Sequence, residues 1–341
     1  MNIVIMAGGK GTRFWPRSIE ERPKQFLALT SQETMLQSTY ARFRRWLPAE
    51  NIHIVTSQSY LPLVHEQLPA LDAAQTIAEP AQRDTAPCIA LAACLFLRSG
   101  SDDVIATVPS DQYIPDDDAL REALEQAAIA AAAEPVIVTL GIVPTRPESG
   151  YGYIELDAPH AIGRIGAVKS FIEKPEQDRA AELIRSKHVL WNSGIYIWKP
   201  STVASYMKRF APDMWRRVEA YADDEANAPL YCGIPKQSID YAVIEKAERI
   251  YSIPVAFEWD DVGAWTSLER IFAPDEAGNI AQGDVTLLNA ADNIVYSEDQ
   301  RTIVIGARDL IVVATRHGLL VCDKSEEQKI KLALERFGKK E

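Results

Sequence analysis

Short apolar runs rich in β-branched residues alternate with helix-spaced apolar stripes through the first half of the chain. That alternation predicts a parallel sheet covered by helices on both faces, an α/β fold. Ile3–Met6, Ile52–Thr56, Val104–Val108 and Val136–Leu140 read as buried strands. Between them Met35, Leu36, Thr39, Tyr40, Phe43, Trp46 and Leu47 fall at helical spacing, and Ala86–Leu97 and Ala119–Ala133 are also helix-like. These stripes are core-facing surfaces by the usual logic of amphipathic periodicity. Farther on the pattern is less regular. SGYGYIEL and GAVKSFIEKP read as antiparallel strands, followed by a helix over 176–187 and a strand at Gly194–Trp198. Helices are expected over 201–209, 212–221 and 238–248, before an alternation of Ile253, Val255 and Phe257. After FAPDEAGN the composition shifts to closely spaced strands and turns, GDVTLLNAADNIVYSED and RTIVIGARDLIVVATRHG, and the chain closes on an amphipathic EEQKIKLALERF. The expected division is therefore a large domain over 1–277 and a small β-rich domain over 278–341 that ends in a helix.

Composition narrows the partners. The chain has 341 residues, 47% of them apolar, enough for a large core. Its formal charge of −12 argues against nucleic acid or an anionic membrane as partner, since no general positive field exists. Residues 1–30 are a local exception, with Lys10, Arg13, Arg17, Arg22 and Lys24 against only Glu20 and Glu21. The four cysteines, Cys88, Cys94, Cys232 and Cys322, form no CxxC pair and have no histidines at metal-ligand spacing, so core thiols of a reducing compartment are expected. MNIVIMAGG lacks the basic n-region and the apolar length of a signal peptide, and no long apolar span follows. A cytoplasmic location is the expectation.

The local cations surround a glycine-rich stretch, MAGGKGTRFWPR, that follows the first strand. It is not a Walker A loop, because its lysine falls between glycines. Nor is it a dinucleotide fingerprint, because Phe14 stands where the third glycine is required and the second strand ends in Thr56–Ser57, without an acidic residue for a ribose. What remains is an amide-rich turn with a lysine and an arginine, and Pro23–Lys24–Gln25 further along. Such a turn suits a triphosphate, since glycines let N–H groups face phosphate oxygens and cations neutralise the rest. A purely structural turn is the alternative.

AGGKGTRFWP followed by RPKQFL resembles the signature of the sugar-1-phosphate nucleotidyltransferases. The likeness continues in order through EPAQRDTAP, VPSDQYI, TLGIVPTRPESGYGYIE, FIEKP, WNSGIYIW and WDDVGAW, and in detail it is similar to the mannose-1-phosphate guanylyltransferases. The resemblance implies a Rossmann-like, mostly parallel sheet flanked by helices, with a C-terminal segment that forms a β-helix-like or sheet extension. It implies transfer of GMP from GTP to mannose 1-phosphate, with GDP-mannose and pyrophosphate as products and a homodimer as the assembly. In-line positioning, a metal and cations about the leaving group are the physical requirements, with no covalent nucleophile.

The same resemblance assigns the residues. Ala7, Gly8, Gly9, Lys10, Gly11 and Thr12 would wrap the nucleotide, with Arg13 at the β- and γ-phosphates and Lys24 at the α-phosphate. Lys10 is equally readable as a solvated charge, and Arg17 and Arg22 as contributors to the field. Asp111 and Asp261 would hold Mg²⁺ or another divalent cation, a donor set suited to a hard ion. Asp260, adjacent in WDDVG, is a rival to Asp261 as ligand, and a helix cap or turn is the plain alternative for Asp111. Glu79 is the candidate acceptor for guanine N1–H and its exocyclic amine, a surface glutamate being the alternative. Asp84 and Gln112 depart from the family's usual asparagine and histidine, leaving their roles open. For the sugar phosphate the likeness points to Gly141, Gly152, Glu173, Lys174 and Asn192, with Trp191 and Trp198 left to the core.

Overall fold

A computed structural model describes residues 1–9 and 11–337. The chain packs as two compact units: one of Met1–Gly8, Tyr40–Ser110 and Ile114–Trp259, the other of Gly9–Thr39, Asp111–Tyr113 and the chain from Asp260 onward. Chain order and unit membership thus differ, because the glycine loop and the Asp111 segment pack with the C-terminal strands rather than with the sheet they extend from.

The first unit holds a nine-stranded sheet. In chain order its strands are β1 (Asn2–Met6), β2 (Ile52–Ser57), β3 (Thr76–Glu79), β4 (Ile105–Pro109), β5 (Ile137–Ile142), β6 (Tyr153–Leu156), β7 (Gly166–Ile172), β8 (Val189–Trp198) and β9 (Ile250–Val255). They lie in the order β3-β2-β1-β4-β8-β5-β9-β7-β6. β1, β2 and β4, three of the four strands the alternating pattern predicts, lie with β3 in a parallel half, whereas the fourth, β5, lies beyond β8 and runs parallel to β9. β8 enters between β4 and β5, antiparallel to both. β1 and β5 are almost wholly apolar and buried, as strands covered on both faces must be. The helix Thr85–Arg98 is buried along most of its length and packs with the helices Pro200–Phe210 and Pro212–Asp223 in one core. Asp84 caps it, accepting from Thr85 N at 2.8 Å. Trp191 and Trp198 are 1% and 0% exposed, core residues as expected.

Two expected helices are shorter than their periodicity suggests. The first covers only Gln177–Leu183. The second is reduced to Ile239–Ala242 and a 3-10 turn at Ile244–Lys246, with the backbone leaving helical geometry at Val243, whose φ is −130°.

The second unit is built on stacked strands: β10 (Ile280–Gln282), β11 (Val285–Leu288), β12 (Ile294–Ser297), β13 (Thr302–Ile305), β14 (Leu310–Thr315) and β15 (Gly318–Asp323). β10, β12 and β14 stack in parallel with Ile280, Ile294 and Ile311 in register, and β11 stacks on β13. That is the pattern of successive coils of a β-helix. Buried Asn279 and Asn293 bind one coil to the next: Asn279 Oδ1 accepts from Asn293 N at 3.0 Å, and Asn293 Oδ1 from Leu310 N at 3.0 Å. Ile294, Ile311 and Val313 form one core with Phe14, Leu27, Leu29 and Trp265, so the coil supports the glycine loop within this unit. Arg17, expected to contribute only field, is structural here. Its guanidinium lies 4.2 Å from the centre of the Tyr296 ring and donates to Ala28 O at 2.7 Å. Cys88 and Cys94 are buried thiols, whereas Cys232 and Cys322 are only half-buried, and all four are free. Among the described residues no helix is long and apolar enough to cross a membrane.

Candidate active site

In the second unit the loop after β1 tightens at Gly11, whose φ of 58° is left-handed. A Cβ there would collide with Lys24 Cβ and stand 2.9 Å from Lys24 N, so only glycine allows the two segments to meet. Thr12 opens a 3-10 turn that ends at Phe14, and a second turn, Lys24–Phe26, presents Lys24. The Lys24 side chain is buried, and its Nζ has three oxygen partners: Asp111 Oδ2 at 2.8 Å, Val262 O at 2.9 Å and Asp261 O at 3.1 Å. Three donors meet three acceptors, which holds the ammonium at one place.

The two acidic segments around that ammonium are joined by backbone. Tyr113 N donates to Asp260 O at 2.9 Å and Asp260 N to Tyr113 O at 3.1 Å, an isolated antiparallel bridge. The turn that follows turns sharply at Val262, buried with φ of 48°. A β-branched residue in that region costs about 1–2 kcal/mol. The strain aims two successive carbonyls at Lys24, an outlier of the kind that gathers at functional sites. Arg13 is exposed and donates to Gly263 O at 3.1 Å.

Asp260 and Asp261 differ in burial and partners. Asp260 is 3% exposed, pairs with Arg270 and accepts from Val262 N at 2.8 Å, a structural carboxylate. Asp261 is half-buried and accepts from Gly263 N at 3.1 Å. No cluster of three or more His, Cys, Asp or Glu side chains suited to a metal exists among the described residues. An Mg²⁺ site needs no such cage, because that ion keeps water and substrate phosphates in its shell. Lys10 lies outside the described residues.

The first unit carries the other expected residues. Ala7 is tied into the sheet, its N donating to Val55 O at 2.7 Å and its O accepting from Thr56 Oγ1 at 2.8 Å. Glu79, at the end of β3, is no surface glutamate: it is 2% exposed. Its Oε1 accepts from Tyr231 Oη at 2.7 Å, and a Cβ on Gly8 would lie 3.7 Å from its Oε2. Burial pushes the Glu79 carboxyl up to about 7, against the pull of hydrogen bonds from Tyr231 and the Cys88 thiol. Gln112 is buried within its segment.

Gly141, Gly152, Glu173, Lys174 and Asn192 come together in this unit. Gly141 faces Asn192 across the β5–β8 ladder, and Asn192 N donates to Gly152 O at 2.8 Å. A Cβ on Gly152 would fall 2.7 Å from Glu173 Oε2, so this glycine permits the carboxylate to approach. Glu173 pairs with Lys174 at 2.5 Å. Burial pulls the Lys174 ammonium down, but Glu173 outweighs it and leaves it above its ordinary value. Asn192 Nδ2 donates to Tyr196 Oη at 2.8 Å and to Asp240 Oδ1 at 3.1 Å, and Tyr196 Oη donates to Asp240 Oδ1 at 2.5 Å. Burial and then Asp240 push the Tyr196 phenol well above its usual range.

Asp240, Tyr196, Tyr231 and the carbonyls of Asp261 and Val262 are absent from the sequence-based set. Asp240 has a faint signal, a carboxylate in the first turn after the Ser238 cap, where acidic residues are common for helix reasons alone. Main-chain carbonyls have no signal at all.

With this geometry in view, the comparisons are specific. Residues 2–278 match the nucleotidyl transferase family and residues 283–337 the MannoseP isomerase/GMP-like beta-helix domain. The chain belongs to the nucleotidyl transferase family and is an enzyme of that class. Within it, a mannose-1-phosphate guanylyltransferase of Salmonella muenchen is 37% identical over 342 residues, 96% of this chain and 71% of that protein. A protein of the same name from Escherichia coli is 34% identical over 347 residues, covering 97% and 73%. A solved structure from Thermus thermophilus, described as a mannose-1-phosphate geranyltransferase, superposes with a TM-score of 0.88 at 34% identity, over 99% of both chains.

Proposed function

We propose that this chain is a cytoplasmic enzyme that transfers GMP from GTP to α-D-mannose 1-phosphate. A phosphate oxygen of the sugar attacks the α-phosphorus in line, the bond from that phosphorus to the bridging oxygen breaks, and pyrophosphate leaves. The observation that carries this reading is the Lys24 ammonium held between the Asp111 carboxylate and the carbonyls of Asp261 and Val262. A fixed cation stabilises charge at the α-phosphate without reorganising during the step. Arg13, exposed at the same turn, suits the departing β- and γ-phosphates. Asp111 and Asp261 would hold Mg²⁺, which when bound neutralises phosphate charge. Glu79 would accept from the guanine edge, while Asn192, Glu173 and Lys174 would bind the sugar hydroxyls and the 1-phosphate.

A nucleotidyltransferase for another base or sugar is the same-class rival. A GDP-sugar-sensing subunit without activity is disfavoured, because Lys24, Asp111 and Asp261 are all present. Pyrophosphate release over a panel of nucleotides and sugar phosphates tests the assignment. GTP with mannose 1-phosphate is expected to give the highest kcat/KM, and a clear preference for UTP or TTP overturns it. A homodimer is part of the proposal, and light scattering that shows only monomer at micromolar concentration refutes that part.

A further inference from the structure

The end of β3 is held by two tyrosines from distant helices. Tyr221, on Pro212–Asp223, donates to Ala78 O at 3.1 Å. Tyr231, on Ala228–Cys232, donates to Glu79 Oε1 at 2.7 Å. Their rings lie 5.2 Å apart, and Tyr231 is fully buried. One phenol therefore fixes the backbone of the strand end and the other the carboxylate that follows.

We propose that Tyr231 is a positioning residue for base selection: its hydroxyl fixes the rotation of the Glu79 carboxylate and holds it as an acceptor toward the N1–H and amino edge of guanine. This inference rests on Glu79 being the base-reading group.

Three features support it. The Glu79 oxygen not bound by Tyr231 lies toward Gly8 after β1, 3.7 Å from where a Cβ on that glycine would stand. A buried carboxylate without a fixed donor would take up a proton and present a donor to guanine where an acceptor is needed. A phenol holds it as an acceptor without the full positive charge of a lysine or arginine, which would compete with the base's own donors. The groups facing Glu79 are Tyr231, the Cys88 thiol, Asp84 and Tyr221, and Asp84 pushes its carboxyl upward. Adenine presents an acceptor at N1 and is repelled, and the inosine base lacks the amino group.

The test uses the full chain and measures kcat and KM for GTP, ITP and ATP with mannose 1-phosphate from pH 6 to 9, with Tm as a check on folding. Tyr231→Phe keeps the ring and removes the donor. Its KM for GTP is expected to rise about tenfold, with ITP affected less, and the acid limb of the GTP profile to move to higher pH. Tyr221→Phe keeps the ring against Tyr231 and removes a hydroxyl that donates to the backbone at Ala78 O, and it is expected to leave that limb in place. Glu79→Gln is expected to erase most of the preference for GTP over ITP. If Glu79→Gln erases the preference and Tyr231→Phe leaves both the GTP:ITP ratio and the acid limb unchanged, the role of Tyr231 is overturned while Glu79 stands. If Glu79→Gln itself leaves the preference intact, the base-reading role of Glu79 fails, and with it this inference.

Discussion

The two units treat polar chemistry in opposite ways. In the second, a buried ammonium is surrounded by a carboxylate and two backbone carbonyls. In the first, carboxylates are surrounded by hydroxyls and an amide: Glu79 by Tyr231, and Asp240 by Tyr196 and Asn192. A fixed cation responds to phosphate charge, which every nucleotide shares. A carboxylate oriented by neutral donors responds to the donor pattern of a base or a sugar, which differs between substrates. On the proposed function, rate and selectivity would rest on different residues in different packing environments.

Four predictions follow from that contrast. Lys24→Met is expected to lower kcat about 10²–10³-fold with every nucleotide alike, measured as initial rates with GTP and ITP. A loss confined to GTP would merge the two functions and break the contrast. Asp240→Asn, which disturbs the Asn192–Tyr196 network, is expected to raise KM for the sugar phosphate about tenfold. KM for GTP should be unchanged, and equal effects on both substrates would remove the sugar-orienting role.

Titration of Glu79 is the next test. The folded-state carboxyl titrates at about 7, above its ordinary value. Folding therefore favours the protonated form, so its contribution to stability is present below pH 4.5 or so and is lost as pH rises through about 7. Between those limits the loss is on the order of 3 kcal/mol. Thermal melts of the native chain and Glu79→Gln from pH 5 to 8 should show a decline in the first that the second lacks. If Glu79 reads the base as proposed, GTP binding needs the ionised carboxylate, and KM for GTP should fall over the same rise in pH. A KM that is flat across it would detach Glu79 from the base. The smallest effect is expected at Asp84, which caps Thr85–Arg98: Asp84→Ala should cost about 1 kcal/mol in urea unfolding. Its kcat is expected to stay within twofold of the native value, and a larger change would give Asp84 a part in nucleotide binding.

By itself the sequence determined the strands β1, β2, β4 and β5, the amphipathic Thr85–Arg98 and Asp117–Ala133 helices, and the C-terminal run of strands. Each is written in apolar periodicity that nearby residues carry. Motif likeness also pointed to Arg13, Lys24, Asp111 and Asp261, because such chemistry needs charged groups that few other roles require, and the second unit holds all four. Tertiary structure alone decided the rest. The Tyr113–Asp260 backbone bridge and the Lys24 ammonium bring the Asp111 and Asp261 segments together, and burial with the Arg270 pairing sets Asp260 apart from Asp261. Glu79 looked like a glutamate before a proline until Tyr231, far along the chain, proved to cover it. Backbone hydrogen bonds and long-range burial leave no local pattern of residues, since any side chain can stand where a carbonyl or an N–H is used.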